Sequence, residues 1–369
     1  MKMDSGSRFR NPKVLSSKVQ SSGLINILKL PIICTEIKIK GLKETNVNKP
    51  NILIMTDKFA EVSREPIEIL INAGMRVHEH GYNTAGSISD DKFCELIQGM
   101  DVLVVTGSFP VSRRVIESAD CLKMIAIRSS GFDGTDLDAA GENGIVVTHN
   151  PGANADSVAD TAIGLILAVL KKIAKLDRMI RHGGWERERT LDMNGKCLGI
   201  IGLGRIGKRV VKRAQGFDMK IIANDIIVYK DFLEAHGIEM ISKDELLQQA
   251  DILTIHTPLD DSTRCMIDER RLRRMKDTAI VINTARGPIV DENALYKALS
   301  LGWIGGAGLD VHATEPPRLR ALVELENVVS TCHIAGLSDD ASYAMAMQTV
   351  EKIIACLSGR IPTDVLTPG

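Results

Sequence analysis

Arg286, Asp310 and His333 each stand where a buried-looking apolar run gives out, and Glu315 lies just beyond Asp310. Residues 278–282 lead into Asn283-Thr-Ala-Arg-Gly-Pro, residues 309–311 close the next run, and 327–331 lead into Cys332 and His333. Such runs read as strands of a parallel sheet. The carboxyl ends of these strands open on one crevice, so residues distant in sequence can meet there. The set suits reduction of a carbonyl. A hydride arriving at carbon leaves negative charge on oxygen, and a histidine, titrating near neutrality, can supply the proton. A carboxylate behind the ring would orient it and hold it protonated. An arginine grips an organic carboxylate through two parallel hydrogen bonds. A lone histidine after a strand is more often structural, but the arginine and carboxylates beside it favour catalysis.

The hydride needs a source. Residues 197–201 form an apolar run of strand length, followed by Gly202, Gly204 and Gly207 at the spacing G-x-G-x-x-G. One glycine makes the tight turn, one lets a diphosphate approach the backbone, and one lets helix and strand pack closely. A helix opening at about Arg205 and Ile206 would turn free N–H groups and its positive end toward that diphosphate. A second strand, 219–223, ends just before Asp225, 23 residues after Gly202. A carboxylate there accepts both ribose hydroxyl hydrogens and repels a 2′-phosphate, which points to NAD rather than NADP.

The elements that must position these residues alternate as strand and helix, the pattern of α/β units on largely parallel sheets. Residues 51–55, 75–80, 101–105, 122–127 and 144–148 read as strands of a first, smaller domain, with helices over 60–73, 90–99 and 111–119. Residues 155–181 carry the longest helical pattern and read as one helix, buried between domains or against a second subunit. Its apolar face includes Val158, Ile163, Ile166, Leu167 and Val169, with Lys171, Lys172 and Lys175 toward its end. Further on, 240–242 and 251–255 read as strands and 243–249, 270–275, 293–300 and 340–357 as helices.

Composition narrows the class. A chain of 369 residues has room for two cores, and 44% hydrophobic with 25% charged residues is ordinary for a soluble globular protein. A net charge of −1 and 4% aromatic residues weigh against a nucleic-acid surface. The seven cysteines are scattered without ligand or disulfide spacing, which fits a reducing compartment. No apolar run has membrane-spanning length. The first 49 residues differ, with ten Lys or Arg against three acids, about +7 by count. That balance fits an organelle-targeting segment, although a flexible tail on a cytoplasmic protein is the favoured reading.

The stretch Ser129-Ser-Gly-Phe-Asp-Gly-Thr-Asp136 directly follows a strand. Its small residues would let backbone N–H groups face an anion; equally, it reads as a tight connection with Asp133 or Asp136 capping the next helix. Spacing leaves both open. His256, before Thr257-Pro258, reads as a residue behind the site or a backbone ligand, with Thr257 nearer the cofactor. His149 and His182 read as structural and His312 as a loop or packing residue. No compact His/Asp/Glu pattern points to a metal.

Gly202-Leu-Gly-Arg-Ile-Gly207, Asn283-Thr-Ala-Arg-Gly-Pro-Ile-Val-Asp-Glu292, Gly308-Leu-Asp-Val311 and Thr331-Cys-His-Ile-Ala-Gly336 resemble motifs of the NAD-dependent D-2-hydroxyacid dehydrogenases. That family includes phosphoglycerate, hydroxypyruvate/glyoxylate and D-lactate dehydrogenases. The likeness runs from about Asn51 to Leu366 and takes in the Asn150-Pro-Gly-Ala-Asn stretch. It implies an α/β fold of two Rossmann-like domains. A doubly wound, parallel-sheet NAD-binding domain (151–335) is inserted in a smaller flavodoxin-like substrate domain (51–150 and 336–369), with crossovers near 150 and 335 as the hinge and 1–50 as an extension. It implies catalytic roles for Arg286, Glu315 and His333. Gly202, Gly204, Arg205, Ile206, Gly207, Asp225, Thr257, Thr284, Ala285 and Asp310 are implied at NAD. Ser129, Ser130, Gly131 and Arg286 are implied at the substrate carboxylate.

A homodimer acting on a small 2-oxo or 2-hydroxy acid is implied as well, with no nucleic-acid or membrane partner. A D-3-phosphoglycerate dehydrogenase-like enzyme is the first expectation and a hydroxypyruvate/glyoxylate reductase the second. An NAD-sensing, corepressor-like binding protein is the alternative of another class, which the intact Arg/Glu/His set disfavours. Three positions depart from the family pattern: Cys332 stands where proline is usual, Asp160 where glutamate is usual, and no arginine stands near residue 106.

Overall fold

The computed structural model describes residues 49–56, 58–81 and 88–367. All but the end of the expected N-terminal extension lies outside them. Two parallel sheets organise the described chain. The first comprises β1 (Asn51–Ile54), β2 (Arg76–Glu79), β3 (Val102–Val105), β4 (Met124–Ile127) and β5 (Val146–Thr148), in the order β2-β1-β3-β4-β5. Val102-Leu-Val-Val and Met124-Ile-Ala-Ile are buried along their whole length, as strands covered on both faces by helices must be. The second comprises β6 (Cys197–Ile201), β7 (Lys220–Asn224), β8 (Glu239–Met240), β9 (Ile252–Ile255), β10 (Ile280–Asn283), β11 (Gly306–Leu309) and β12 (Val328–Ser330). Its order, β12-β11-β10-β9-β6-β7-β8, reverses direction between β6 and β9. At that switch point the loops after β6 and β9 diverge and leave a crevice at the strand ends. The two sheets are the two Rossmann-like units expected, the first with the flavodoxin strand order.

The helix Asp339–Leu357 follows the second sheet in sequence but packs on the first. Ser338 caps it, accepting from the Ala341 N–H at 3.2 Å. Its Ala346, Val350 and Ile353 share a core with Ile52, Ile54, Val102, Val104 and Met124. The chain then runs back beside β5, where the Leu366 N–H donates to the Val147 carbonyl at 2.8 Å. Buried Asn150 ties these pieces together. Its amide donates to the Arg128 and Met345 carbonyls (2.8 and 3.0 Å) and the Thr349 hydroxyl (2.7 Å), and its oxygen accepts from Lys352 at 2.9 Å. Close by, the Ser157 hydroxyl donates to the Ala335 carbonyl at 2.7 Å, and any side chain on Gly336 would strike Asn154.

The single helix expected over 155–181 is two. Ala155–Leu170 packs its apolar face into the second core, and Ile173–Arg181 leaves it after Lys172, whose φ of 53° is left-handed. Lys172 and Lys175 turn away from the apolar stripe to meet Glu188, each at 2.8 Å. No residue of the second helix is buried, and Ile173, Ile180, Trp185 and Leu191 are exposed. Asp339–Leu357 is the longer helix. The first helix starts at Glu65 rather than residue 60, because Pro66 favours the first turn. No helix among the described residues is long and apolar enough to cross a membrane.

Candidate active site

At the nucleotide end, Gly202 leaves β6 with φ +94°, and a Cβ there would stand 2.5 Å from the His256 carbonyl oxygen. A side chain on Gly207 would strike the Gly202 carbonyl, so the helix Arg205–Ala214 can press against the strand only with glycine at both positions. Gly204 has open space before it, and Arg205 lies along Gly152 of the crossover. Ile206, in the first turn, packs against the second core. Asp225, just past β7, accepts from the Leu203 N–H (2.5 Å) with one oxygen and the Ile227 N–H (2.9 Å) with the other. Each oxygen keeps a second lone pair for a hydroxyl donor.

Thr257 and Thr284, beyond the ends of β9 and β10, bury hydroxyls with no hydrogen-bond partner among the described residues. The same holds for Nδ1 of His256, whose Nε2 lies 2.9 Å from the Thr254 hydroxyl. Burial drives the His256 pKa down to about 3, so this ring is neutral. Leaving a buried polar group unpaired costs about 1–3 kcal/mol. Three of them beside an open glycine turn and a strand-end carboxylate fit a polar ligand with a diphosphate and a ribose.

At the other end, Nδ1 of His333 lies 2.8 Å from Oε2 of Glu315, which leaves Nε2 as the ring nitrogen outside that bond. The hydrogen bond to Glu315 and that carboxylate's charge raise the His333 pKa above its ordinary value, against burial and the repulsion of Arg286. Burial pushes Glu315 up, but its bond to His333 and the ring's charge outweigh this and hold it below the usual carboxylate range. The His333 backbone has φ 56°, a left-handed conformation that costs a non-glycine residue roughly 1–2 kcal/mol.

Asp310 holds that turn. It is buried. Its carboxylate accepts from the Thr331 hydroxyl (2.5 Å) and the Ile334 and Ala335 N–H groups (both 2.9 Å), and its carbonyl accepts from the His333 N–H (2.8 Å). These bonds position His333 without a proline at Cys332.

Arg286 reaches the same place from the turn after β10. Buried Asn283 folds that turn, donating to the Arg286 carbonyl (2.9 Å) and accepting from the Ala285 N–H (3.0 Å). Gly287 lets it press on the His312 backbone, where any side chain would clash. His312 itself is a packing residue, buried with Nδ1 3.5 Å from Glu292. The Arg286 guanidinium donates to the Ala285 carbonyl through Nη1 (2.8 Å). It donates to Oδ2 of Asp133 through Nη2 (2.8 Å) and Nε (3.2 Å).

A side chain on Gly131 would strike Nη2, so the guanidinium lies on the 129–131 loop after β4. Ser129 and Ser130 turn their hydroxyls inward. Ser129 accepts from the Gly107 N–H at 2.7 Å, and Ser130 lies 2.9 Å from Asn150 and Asn154 oxygens. His149 braces this loop structurally, with a ring nitrogen 2.8 Å from the Ser130 carbonyl. Of the two candidate caps, Asp136 caps its helix through the Ala139 N–H at 2.8 Å, whereas Asp133 pairs with Arg286.

The structure thus gathers Arg286, Glu315, His333 and the 129–131 loop at one end of a crevice. Gly202, Gly204, Gly207, Asp225, Thr257 and Thr284 stand at the other, with Asp310 behind. Sequence reasoning did not find the pairing of Asp133 or the turn made by Asn283. The signals were a carboxylate in an otherwise small-residue loop and an asparagine three residues before an arginine. Among the described residues, no group of three or more His, Cys, Asp or Glu is placed to hold a metal.

Residues 163–335 match the family model for the NAD binding domain of D-isomer specific 2-hydroxyacid dehydrogenases. A glyoxylate reductase of Korarchaeum cryptofilum is 40% identical over 279 residues, 74% of this chain and 84% of that protein. A D-3-phosphoglycerate dehydrogenase of Methanocaldococcus jannaschii is 38% identical over 317 residues, 85% of this chain and 59% of that one. Among solved structures, the TT0316 protein of Thermus thermophilus superimposes with a TM-score of 0.79 at 33% identity, covering 86% of this chain and all of its own (100%).

Proposed function

The chain belongs to the D-isomer specific 2-hydroxyacid dehydrogenases, oxidoreductases that interconvert 2-hydroxy and 2-oxo acids with NAD(P), and from that premise we propose that it is an NAD-dependent reductase of small 2-oxo acids such as glyoxylate or hydroxypyruvate. The observation that carries the reading is the 2.8 Å bond between His333 and Glu315, with the Arg286 charge close enough to act on the ring. Gly202, Gly204, Arg205, Ile206 and Gly207 would hold the diphosphate, Asp225 the ribose, and Thr257, Thr284 and Ala285 the nicotinamide side. When bound, the nicotinamide supplies the hydride that C2 of the acid receives. Arg286 and the 129–131 backbone hold the substrate carboxylate. Protonated His333 gives its Nε2 proton to the C2 oxygen, and Glu315 keeps the ring charged until that moment.

The choice among acids rests on charge. The turn after β3 offers Thr106, Gly107 and Ser108, none of them basic, so Arg286 has no cationic neighbour there for a phosphate. Glyoxylate and hydroxypyruvate should therefore be reduced with kcat/KM about 10- to 100-fold above phosphohydroxypyruvate, since a hydrogen-bonded charged group is worth about 1.5–3 kcal/mol. The reverse order in a steady-state assay of NADH oxidation hands the protein to the phosphoglycerate reading.

Cofactor choice rests on Asp225. NADH should bind about tenfold or more tightly than NADPH, whose 2′-phosphate would face that carboxylate at close range. Asp225→Ala should narrow the gap mainly by improving NADPH. Fluorescence titration checks both, and equal affinities in the wild type overturn the reading.

The exposed Ile173, Ile180, Trp185 and Leu191 support association with a second copy of the chain. Light scattering at micromolar concentration should give about twice the chain mass; a value near 40.2 kDa refutes it.

A further inference from the structure

Three successive carbonyls of the loop after β4 are held from behind by the crossover. Asn150 takes two of them. Its side-chain amide donates to the Arg128 carbonyl at 2.8 Å, and its backbone N–H donates to the Ser129 carbonyl at 3.0 Å. Nδ1 of His149 lies 2.8 Å from the Ser130 carbonyl, which can only accept, so that nitrogen carries the proton. A trans peptide unit holds its N–H opposite its carbonyl, and none of these peptide bonds is cis. Carbonyls drawn back onto residues 149 and 150 therefore turn the N–H groups of Ser129, Ser130 and Gly131 the other way. Those N–H groups meet no acceptor among the described residues, and Gly131 lies against the Arg286 guanidinium.

Residues 149 and 150 are in turn gripped by Lys352, from the returning helix Asp339–Leu357. The Lys352 side chain is only 6% exposed, and its ammonium has three protons for three acceptors. These are the His149 carbonyl, Oδ1 of Asn150 at 2.9 Å and Oδ2 of Asp364 at 2.9 Å. The His149 carbonyl and the Asn150 N–H belong to one peptide unit, so Lys352 holds one end of it and Ser129 the other. The Asn150 amide is spanned in the same way, between Lys352 and the Arg128 carbonyl. A buried ion pair adds little stability over well-packed apolar side chains of similar volume. A buried ammonium with every proton committed supplies direction instead.

We propose that Lys352 is a positioning residue for the substrate: it fixes the 149–150 peptide and the Asn150 amide, and through them aims the N–H groups of Ser129, Ser130 and Gly131 at the substrate carboxylate. The proposal rests on the functional reading above for the identity of that ligand.

The test compares full-length variants with wild type. Lys352→Met combined with Asp364→Asn removes the ammonium without stranding a carboxylate. Asp364→Asn alone removes the counter-charge and leaves both bonds from Lys352 to residues 149 and 150. With NADH saturating, KM for glyoxylate should rise about tenfold in the double variant, the worth of one hydrogen bond to a charged group. Its kcat should stay within about twofold, because a carboxylate held equally in ground and transition states contributes to binding alone. Hydrogen exchange reads the grip directly. The Asn150 N–H should exchange about tenfold faster, with the amides of β3 unchanged. Asp364→Asn should keep the wild-type KM and the wild-type exchange at Asn150, whatever its melting temperature. Lys352→Gln, uncharged and one atom shorter, should move KM and exchange as the double variant does, and replaces it if the double variant is unfolded.

An unchanged KM in the folded variant lacking Lys352 overturns the proposal, as does an Asn150 N–H that exchanges as in wild type. A KM that rises as far in Asp364→Asn overturns it too, since lost stability would then account for the effect. If the wild type turns over no 2-oxo acid, the functional reading falls instead, and exchange at Asn150 still decides whether Lys352 holds the loop.

Discussion

Alanine at position 333 is expected to lower the turnover of a 2-oxo acid by about 10²–10⁴, the span for loss of a positioned general acid, with NADH affinity little changed. The side chain is nearly half exposed, and the turn it sits on is held by Asp310 through backbone groups at 333, 334 and 335, none of which the substitution removes. Stability should therefore fall little, and melting temperature measured beside turnover separates chemistry from folding. A folded His333→Ala with wild-type turnover ends the assignment.

The pH dependence carries a second signature. Reduction needs protonated His333, so its rate is full below the His333 pKa and falls as pH rises through it. Glu315 raises that pKa, and Glu315→Gln should move the alkaline fall toward lower pH. Activity lost equally at every pH would instead mark Glu315 as a packing residue.

Removing Arg286 should be as damaging. Arg286→Ala deletes the charge-assisted bonds to the substrate carboxylate, each worth about 1.5–3 kcal/mol, and leaves Asp133 unneutralised beside an anion. A fall in kcat/KM of about 10³ or more is expected. Arg286→Lys should recover only part of it, because an ammonium cannot donate along a planar edge to Asp133 and the substrate together. The positive charge of Arg286 also lowers the His333 pKa, so the alkaline fall should move to higher pH in Arg286→Ala, opposite in sign to Glu315→Gln. Kinetics across pH on both variants check the pair. A Lys variant with wild-type kcat/KM would show that the arginine is not the carboxylate's grip.

What could be read from the sequence was what the chain encodes locally. The largely apolar runs at 197–201, 252–255 and 280–282 are strands because a parallel sheet covered on both faces needs continuous apolar residues. The Gly202, Gly204 and Gly207 spacing states its own backbone requirement. His333 and Glu315 were legible as strand-end residues, though which carboxylate would meet the ring came from resemblance alone.

What escaped was long-range. Asp133 and Arg286 are 153 positions apart, and a carboxylate in a small-residue loop looks locally like a helix cap. Asp310 sits at a strand end as a ligand would, and only the folded chain shows its oxygens accepting from the next loop. The break at Lys172 escaped because periodicity counts apolar residues and carries no sign of a left-handed residue between two helices.

The contact between Ser157 and Ala335 has a consequence for how the molecule can be cut. The segment that builds the second sheet enters and leaves through one doorway, since its first turn of helix and its last residues hydrogen-bond to each other and Gly336 is flush against Asn154. A segment whose two chain ends meet in this way has no preferred beginning. A linker of a few residues across that doorway would make the piece circular, and new termini could then be opened in an exposed loop such as the one holding Ile226 without disturbing a sheet. The same doorway makes the segment exchangeable as a cassette, with the first sheet and its returning helix left behind as a continuous scaffold.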